Sequence, residues 1–287
     1  MNILITGGNG MIGVEITNYL SKKNKVYSTY RNKKPKKIQN TIWKKIDLEH
    51  PINWKIKPDI IINCAVTSKF SKKNSINDYV DSNIIAAKNI LDFAIKSKSK
   101  KIINLSSISV YKLGKKKLIN ENSEIENQNI LSITKHLGEQ ILAESNIDCI
   151  NLRLPAILNL DLKKNHSWMN NLFFNIKKNK KIRIFNANSK FNSVIHINYI
   201  FELLDKIINK KEKLKGTFNF LPLRGEKLID IILYIKKFYR SRSKIEIVKS
   251  SFVSPYFSSK KIFSKLKFKI PGTLPIIKYS LTNKIIL

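Results

Sequence analysis

The sequence has few cysteines and no long apolar segment. Its two cysteines, Cys64 and Cys149, lie in apolar surroundings, which indicates buried free thiols rather than a disulfide framework. No apolar run approaches the roughly 18 residues that would span a bilayer. Because the first residues already belong to a predicted strand, we expect no signal peptide before the fold, and a cytoplasmic protein. The four histidines are scattered without ligand spacing, so no metal site is predicted.

Acidic residues are also scarce. The chain has 20 Asp and Glu residues against 54 Lys and Arg residues, which gives a formal net charge of +34. The excess is almost all lysine and is spread along the chain, so we interpret it as a solvated basic surface that favours anionic ligands. A specific nucleic-acid partner is not predicted, because aromatic stacking motifs and recognition-helix signatures are missing.

The sequence does contain a glycine cluster close to its start. A short apolar run, residues 2–6, ends in glycines, and an amphipathic segment, residues 14–20, follows at once. Gly8, Gly10 and Gly13 form G-x-G-x-x-G between a predicted strand and a predicted helix, where this pattern indicates a dinucleotide site. The helix N-terminus would face the phosphates. We expect cofactor contacts along Thr6, Gly7, Gly8, Asn9, Gly10, Met11, Ile12 and Gly13.

Strands alternate with helices over the first 155 residues. Predicted strands cover residues 25–30, 42–46, 59–63, 101–105 and 147–152, and predicted helices cover residues 79–97 and 130–144. This alternation predicts an α/β fold with a doubly wound parallel sheet of the Rossmann type. After Pro155 the rhythm changes to short elements. We therefore expect a dinucleotide-binding domain over residues 1–155 and a smaller substrate-binding lobe over residues 156–287, some segments of which could return to the main sheet.

Seven short motifs occur in the order and spacing of one known family. They are TGGNGMIG (residues 6–13), PDIIINCA (58–65), NIIAAKNIL (83–91), LSSISVY (105–111), LRLP (152–155), SVIHIN (193–198) and SKLKFK (264–269). With them the chain resembles the extended short-chain dehydrogenase/reductase family of NAD(P)-dependent sugar-nucleotide epimerases, dehydratases and reductases. The resemblance implies a nucleotide-sugar substrate, a homodimer, and further cofactor contacts from Asp47, Leu48, Cys64, Ala65, Asn83 and Lys135.

The end of the second predicted strand bears on the choice of cofactor. An Asp or Glu there would bind the ribose 2′-hydroxyl of NAD, but the chain has Arg31. A guanidinium at this place can pair with a 2′-phosphate, so the sequence favours NADP, with NAD as the alternative. Arg31 could also be one more surface cation, and Asp47 could serve to form a turn rather than to contact the adenine.

The catalytic residues are where the chain departs from the family pattern. The family uses Tyr-x-x-x-Lys on the helix after the serine strand, and the spacing of four puts both side chains on one helical face. Lys135 matches the lysine and Ser107 matches the serine, but Leu131 occupies the tyrosine position. A leucine cannot transfer a proton.

Several explanations of this departure stay open. Tyr111, Ser132 or His136 could supply the proton, or water could do so in a slow enzyme. Tyr111 is the candidate that we add to Ser107 and Lys135 as a catalytic residue, with a packing role as its alternative. The leading hypothesis is an oxidoreductase, epimerase or dehydratase acting on a nucleotide sugar. The alternative is a catalytically silent NADP-binding sensor or partner protein.

Overall fold

A computed structural model describes residues 1–66, 75–112, 118–125, 129–158, 168–210, 213–250 and 253–283. The chain divides into two compact units. The first unit consists of Met1–Val110, Asn127–Arg153 and Leu203–Phe218, and the second unit of Tyr111–Glu126, Leu154–Glu202 and Asn219–Leu287. The functional division at residue 155 stays a prediction.

The strands follow one another along the chain in this order. They are β1 (Asn2–Thr6), β2 (Lys25–Tyr30), β3 (Thr41–Lys45), β4 (Ile60–Asn63), β5 (Lys101–Ser107), β6 (Leu118–Ile119), β7 (Asp148–Leu154), β8 (Ala156–Leu158), β9 (Ile182–Phe185), β10 (Lys190–Phe191), β11 (Val194–His196), β12 (Gly216–Asn219), β13 (Glu226–Lys227), β14 (Ile245–Val248) and β15 (Tyr256–Phe257).

A seven-stranded sheet with the order β12-β7-β5-β4-β1-β2-β3 forms the centre of the first unit. The pairs β3–β2, β2–β1, β1–β4 and β4–β5 are parallel. Ile3, Leu4 and Ile5 of β1 are fully buried, and all four residues of β4 are buried, as expected for strands covered on both faces. The predicted doubly wound parallel sheet is confirmed, and β12 is a late segment that returns to it.

The helices are α1 (Met11–Leu20), α2 (Ile76–Val80), α3 (Ala86–Lys96), α4 (Ile130–Ala143), α5 (Trp168–Lys177), α6 (Ile197–Asn209), α7 (Leu228–Phe238), α8 (Lys260–Leu266) and α9 (Thr273–Thr282). A π-helical segment, Asp81–Ile85, joins α2 to α3. The predicted helix over residues 79–97 therefore begins earlier and contains a change of helix type. Among the residues that the structure describes, no helix is long and apolar enough to cross a membrane.

Glycine brings α4 close to the π-helical segment. A Cβ atom at Gly138 would lie 2.6 Å from the backbone oxygen of Asn83, so a larger residue would push the helices apart. Beside this contact, the Asn83 side-chain amide donates to Thr134 Oγ1 at 2.9 Å. These contacts fix the distance between the π-helical segment and α4, the helix that carries Leu131 and Lys135.

The second unit has a core of its own. It is formed by apolar residues of β8, α5, β9, β11, α7 and α9, among them the fully buried Phe173, Ile231 and Ile276. Short two-stranded pairs surround this core: β8 with β11, β9 with β14, β10 with β13 and β6 with β15. The second unit is therefore built from short elements around an apolar core.

Candidate active site

The glycine loop forms the tight turn that the sequence predicts. Gly7 has φ +65, and a Cβ atom there would lie 2.6 Å from the Cα atom of Ala65. The N–H group of Gly10 donates to Gly7 O at 2.9 Å and closes the turn directly before α1. A Cβ atom at Gly13 would collide with the backbone of Gly7 and Gly8. The loop is therefore a backbone cradle at a helix N-terminus, where anions bind.

A groove with a volume of about 350 Å³ runs over this loop. Its lining includes eight of the predicted cofactor-binding residues, namely Gly7, Asn9, Gly10, Arg31, Asp47, Leu48, Cys64 and Ala65. A volume of this order suits a small-molecule ligand. The other predicted residues of the loop lie beside or beneath the groove: Thr6 is buried, and Gly8, Met11, Ile12 and Gly13 form the turn and the first turn of α1.

A smaller cavity of about 20 Å³ adjoins the groove, because Ala65 lines both. Asn83 and Lys135 line this cavity, so the structure brings all of the predicted cofactor-binding residues to one region of the first unit. The glycine loop, Asn83 and Lys135 are far apart in the sequence, so this convergence is a property of the fold. It follows from the parallel sheet, whose strands all end at one edge.

Arg31 has a partner that sequence reasoning missed. Its Nη1 atom lies 2.8 Å from Oε1 of Glu49, and the two side chains are 48% and 30% exposed. Both residues line the groove. Tyr30 at the end of β2 is paired with Lys45 at the end of β3, which explains how the loop after β3 reaches Arg31. The signal for this contact was the order of the strands, not the spacing of residues.

Asp47 and Leu48 hold the loop after β3 in place. Oδ1 of Asp47 accepts a hydrogen bond from the Glu49 N–H group at 3.2 Å, and Asp47 O accepts one from the His50 N–H group at 3.3 Å. These bonds are those of a turn-forming aspartate, which was the alternative interpretation of Asp47. Leu48 O accepts a hydrogen bond from the buried Asn89 side chain at 2.8 Å, which ties the loop to α3.

A row of buried amide side chains crosses the sheet beneath the site. Thr6 Oγ1 donates to Asn63 Oδ1 at 2.8 Å, Asn63 Nδ2 to Asn104 Oδ1 at 3.0 Å, and Asn104 Nδ2 to Asn151 Oδ1 at 2.8 Å. Asn151 Nδ2 then donates to Glu139 O at 3.2 Å. Because buried polar groups are costly unless paired, this row fixes the strand ends against α4. Sequence reasoning did not identify Asn104 or Asn151.

Lys135 is held at the end of β5. Its Nζ atom donates to Leu105 O at 3.2 Å, two residues before Ser107. Burial lowers the pKa of Lys135 to about 8, while the negative charge of Glu139 raises it. Glu139 is itself bound by Arg153, with Nη2 to Oε2 at 2.6 Å. The direction of the Lys135 pKa shift, toward neutral pH, follows from the burial of the ammonium group.

The cysteines are free, as predicted, and their thiols are not acidic. Burial raises the pKa of Cys64 to about 12, although the charge of Lys135 lowers it, and burial also raises the pKa of Cys149 to about 12. Cys64 contributes its backbone to the site through an N–H bond to Thr6 O at 3.0 Å. Both thiols are therefore neutral at physiological pH.

Two of the alternatives for the missing tyrosine, Ser132 and His136, lie on α4. Ser132 is fully buried, and its hydroxyl donates to Ser109 O at 2.8 Å. Nδ1 of His136 lies 3.6 Å from the buried carboxylate of Glu139. Ser107, in contrast, lies at the end of β5 and is only half-buried, and its Oγ atom accepts the Ser109 N–H at 3.1 Å. An accepting hydroxyl oxygen leaves the hydroxyl proton for another acceptor.

Tyr111 belongs to the second unit and is fully buried there. Its hydroxyl donates to Oδ1 of Asn219 at 2.7 Å, and its ring packs against Phe257. This placement favours the packing role over the proton-transfer role.

Replacing Tyr111 by phenylalanine tests that interpretation. We expect Tyr111→Phe to lower the free energy of unfolding by about 1–3 kcal/mol, because the buried oxygen of Asn219 loses its donor. Turnover at a temperature where the variant is folded should stay within a few-fold of the natural protein. Denaturant unfolding and steady-state kinetics measure the two quantities, and a large loss of turnover without loss of stability would return Tyr111 to the catalytic residues.

The chain is similar to known proteins in sequence and in fold. The chain is 25% identical over 221 residues to GDP-6-deoxy-D-talose 4-dehydrogenase of Aggregatibacter actinomycetemcomitans, which covers 73% of this chain and 71% of that protein. The crystal structure of the Bordetella bronchiseptica enzyme WbmG with NAD has a TM-score of 0.82 at 15% identity, covering 98% of this chain and 93% of that one.

A second solved structure has the same fold. UDP-glucuronic acid 4-epimerase from Bacillus cereus, in complex with NAD, has a TM-score of 0.80 at 17% identity, covering 98% of this chain and 96% of that chain. At these identities the structural likeness concerns the fold. The family assignment comes from a sequence match over residues 3–220. The chain belongs to the NAD dependent epimerase/dehydratase family.

Proposed function

We propose that this protein binds NAD in the groove over the glycine loop and interconverts a hydroxyl and a carbonyl group on a nucleotide sugar. The observation that carries the proposal is that the groove adjoins the cavity that Lys135 lines, since Ala65 and Val66 line both. Relatives support the substrate class, since one is named as a GDP-6-deoxy-D-talose dehydrogenase and another as a UDP-glucuronic acid epimerase.

The residues present fit a dinucleotide. A Cβ atom at Gly7 or at Gly13 would clash with the neighbouring backbone, so only glycine fits at these two positions. The cradle that they form lies directly before the N-terminus of α1. Such a cradle suits the pyrophosphate of a dinucleotide. When bound, NAD accepts a hydride from a sugar carbon or returns one to it. The remaining tasks, which are orientation and proton transfer, fall to side chains of the chain itself.

Ser107 and Lys135 are the residues that we assign to those tasks. The Ser107 hydroxyl oxygen accepts the N–H group of Ser109 at 3.1 Å, so we assign the proton of this hydroxyl to a hydrogen bond with a sugar oxygen. Lys135, with a pKa of about 8, gives a proton to that oxygen during reduction and takes one from it during oxidation. Leu131 replaces the family tyrosine, so we assign the proton transfer to Lys135, which lies four residues further along the same helix.

The proposal includes the finer expectations from the sequence. Residues 1–155 would bind the cofactor and residues 156–287 the sugar, in a cytoplasmic homodimer that has no specific nucleic-acid partner. The chain's net charge of +34 supports an anionic substrate such as a nucleoside diphosphate. A second candidate function, a silent dinucleotide-binding sensor, is favoured by Leu131 alone. Turnover distinguishes the two, because only the enzyme converts a nucleotide sugar.

Binding of the cofactor is tested at Gly10. A Cβ atom there would lie 3.0 Å from Gly7 O, and the further methyl groups of a valine would occupy space that the pyrophosphate needs. We expect Gly10→Val to abolish NAD binding in isothermal titration calorimetry while the far-UV circular dichroism spectrum stays that of the natural protein. A folded variant that binds NAD with unchanged affinity would contradict the assignment of the loop.

A further inference from the structure

Among the residues that the structure describes, the charges that line the groove are balanced, although the chain as a whole is strongly basic. These described lining residues include two cations, Arg31 and Lys33, and two anions, Asp47 and Glu49. The whole chain, in contrast, has 54 basic and 20 acidic residues. The acid that is missing at the end of β2 is thus supplied by the loop after β3, beside the Arg31 side chain.

The pair of Arg31 and Glu49 is positioned by the backbone around it. Ile46 donates its N–H group to Tyr30 O at 3.0 Å, which joins the ends of β2 and β3. The Glu49 N–H group donates a hydrogen bond to Asp47 Oδ1 at 3.2 Å, so the backbone that carries the Glu49 side chain is held in a turn. Its Oε1 atom reaches Nη1 of Arg31 at 2.8 Å. The guanidinium therefore already has an anionic partner at the wall of the groove.

We propose that Glu49 sets the cofactor preference of this protein by pairing with Arg31, so that the groove accepts NAD in preference to NADP. This inference rests on the proposed function, since it concerns the same groove. A 2′-phosphate carries about two negative charges near neutral pH. Beside Glu49 it would meet a like charge, and Arg31 would have to leave or share its carboxylate to bind it. A ribose 2′-hydroxyl has no such cost and can donate to a carboxylate.

This interpretation changes the cofactor expectation that Arg31 alone suggests. The sequence shows an arginine where NAD-binding proteins have an acid, and that pattern favours NADP. In the folded chain the arginine and an acid occur together. Because the two side chains are 48% and 30% exposed, solvent screens their interaction, so we expect effects near the lower end of those measured for charged hydrogen bonds, about tenfold in affinity.

The test is the ratio of the dissociation constants of NADP and NAD, measured by calorimetry on the full chain. We expect the natural protein to bind NAD about tenfold more tightly than NADP, and Glu49→Gln to tighten NADP binding about tenfold while NAD changes less. Adding Arg31→Ala to that variant should remove the gain. Asp92→Asn is the matched control, because it removes one carboxylate from the exposed pair with Lys88 on α3.

Three outcomes overturn the inference. The natural protein could bind NADP as tightly as NAD, or the ratio could stay unchanged in Glu49→Gln, or the control could change it equally. If Glu49→Gln does not fold, Glu49→Lys must reverse the preference for the inference to stand. If the natural protein binds neither dinucleotide, the proposed function is overturned as well. If NAD binds, but the ratio of the NADP and NAD dissociation constants does not depend on Glu49, only this inference is overturned.

Discussion

Replacing Leu131 by tyrosine should raise the turnover of a nucleotide sugar by about 10²- to 10⁴-fold, the range that a general acid–base group contributes. Leu131 lies four residues before Lys135 on α4, so both side chains project from one face of the helix. The ammonium of Lys135 beside it would stabilise the phenolate and lower the tyrosine pKa toward neutral pH. The variant would thereby carry a second proton-transfer group, at the place where the family pattern has its tyrosine.

The control for this experiment is Leu137→Tyr. Leu137 lies on the same helix but is 44% exposed, and its place in the helix is six residues from Leu131, on another face. The Leu137→Tyr variant adds the same phenol on a helical face that does not carry Lys135. The turnover of this variant should therefore equal that of the natural protein. If Leu131→Tyr changes nothing while NAD binding stays intact, the position does not face the reacting oxygen and the assignment of this helical face is wrong.

Removing the amine of Lys135 should lower turnover by a comparable factor, about 10²- to 10⁴-fold, because the group that we assign to proton transfer is lost. The natural protein should also show a characteristic pH dependence. Reduction needs the protonated amine, so its rate should fall as the pH rises through about 8, and oxidation needs the neutral amine, so its rate should rise over the same range. Steady-state kinetics in both directions measures these profiles.

Lys135→Met carries the test, and Lys88→Met serves as its control. Lys88 is an exposed lysine of α3, paired with Asp92, and its loss removes the same charge from a residue that does not line the groove. The control should keep both the rate and the pH profile. A Lys135→Met variant that keeps the profile with its midpoint near pH 8 would contradict the role of Lys135, whatever the size of the rate change.

Local sequence patterns predicted much of the first unit. The glycine turn, the buried strands β1 and β4, and helices α1 and α4 are each encoded within a few neighbouring residues, through apolar runs, glycines and periodicity. Several boundaries differ by one or two residues, because the ends of elements depend on tertiary contacts. The helix predicted over residues 79–97 contains a π-helical segment, which no periodicity signals.

Contacts between distant elements could not be predicted in this way. The pairing of Arg31 with Glu49 requires that β2 and β3 be neighbours, and the bond between Asn104 and Asn151 requires that β5 and β7 be neighbours. A sequence alone does not give that order. The burial of Tyr111 likewise depends on Asn219, which lies 108 residues away. The candidate site was therefore predictable as a set of cofactor-binding motifs, but not as an arrangement of charges.

The most direct test of the account is single-turnover mixing of the purified, NAD-loaded protein with UDP-, GDP- and dTDP-linked hexoses, with reduced nicotinamide absorbance as the readout. We expect at least one of these nucleotide sugars to give a burst of reduced nicotinamide that Ser107→Ala abolishes while NAD binding stays unchanged. If NAD binds and none of these sugars gives any absorbance change, in the natural protein or in Leu131→Tyr, the protein is a silent dinucleotide-binding protein and the proposed function is wrong.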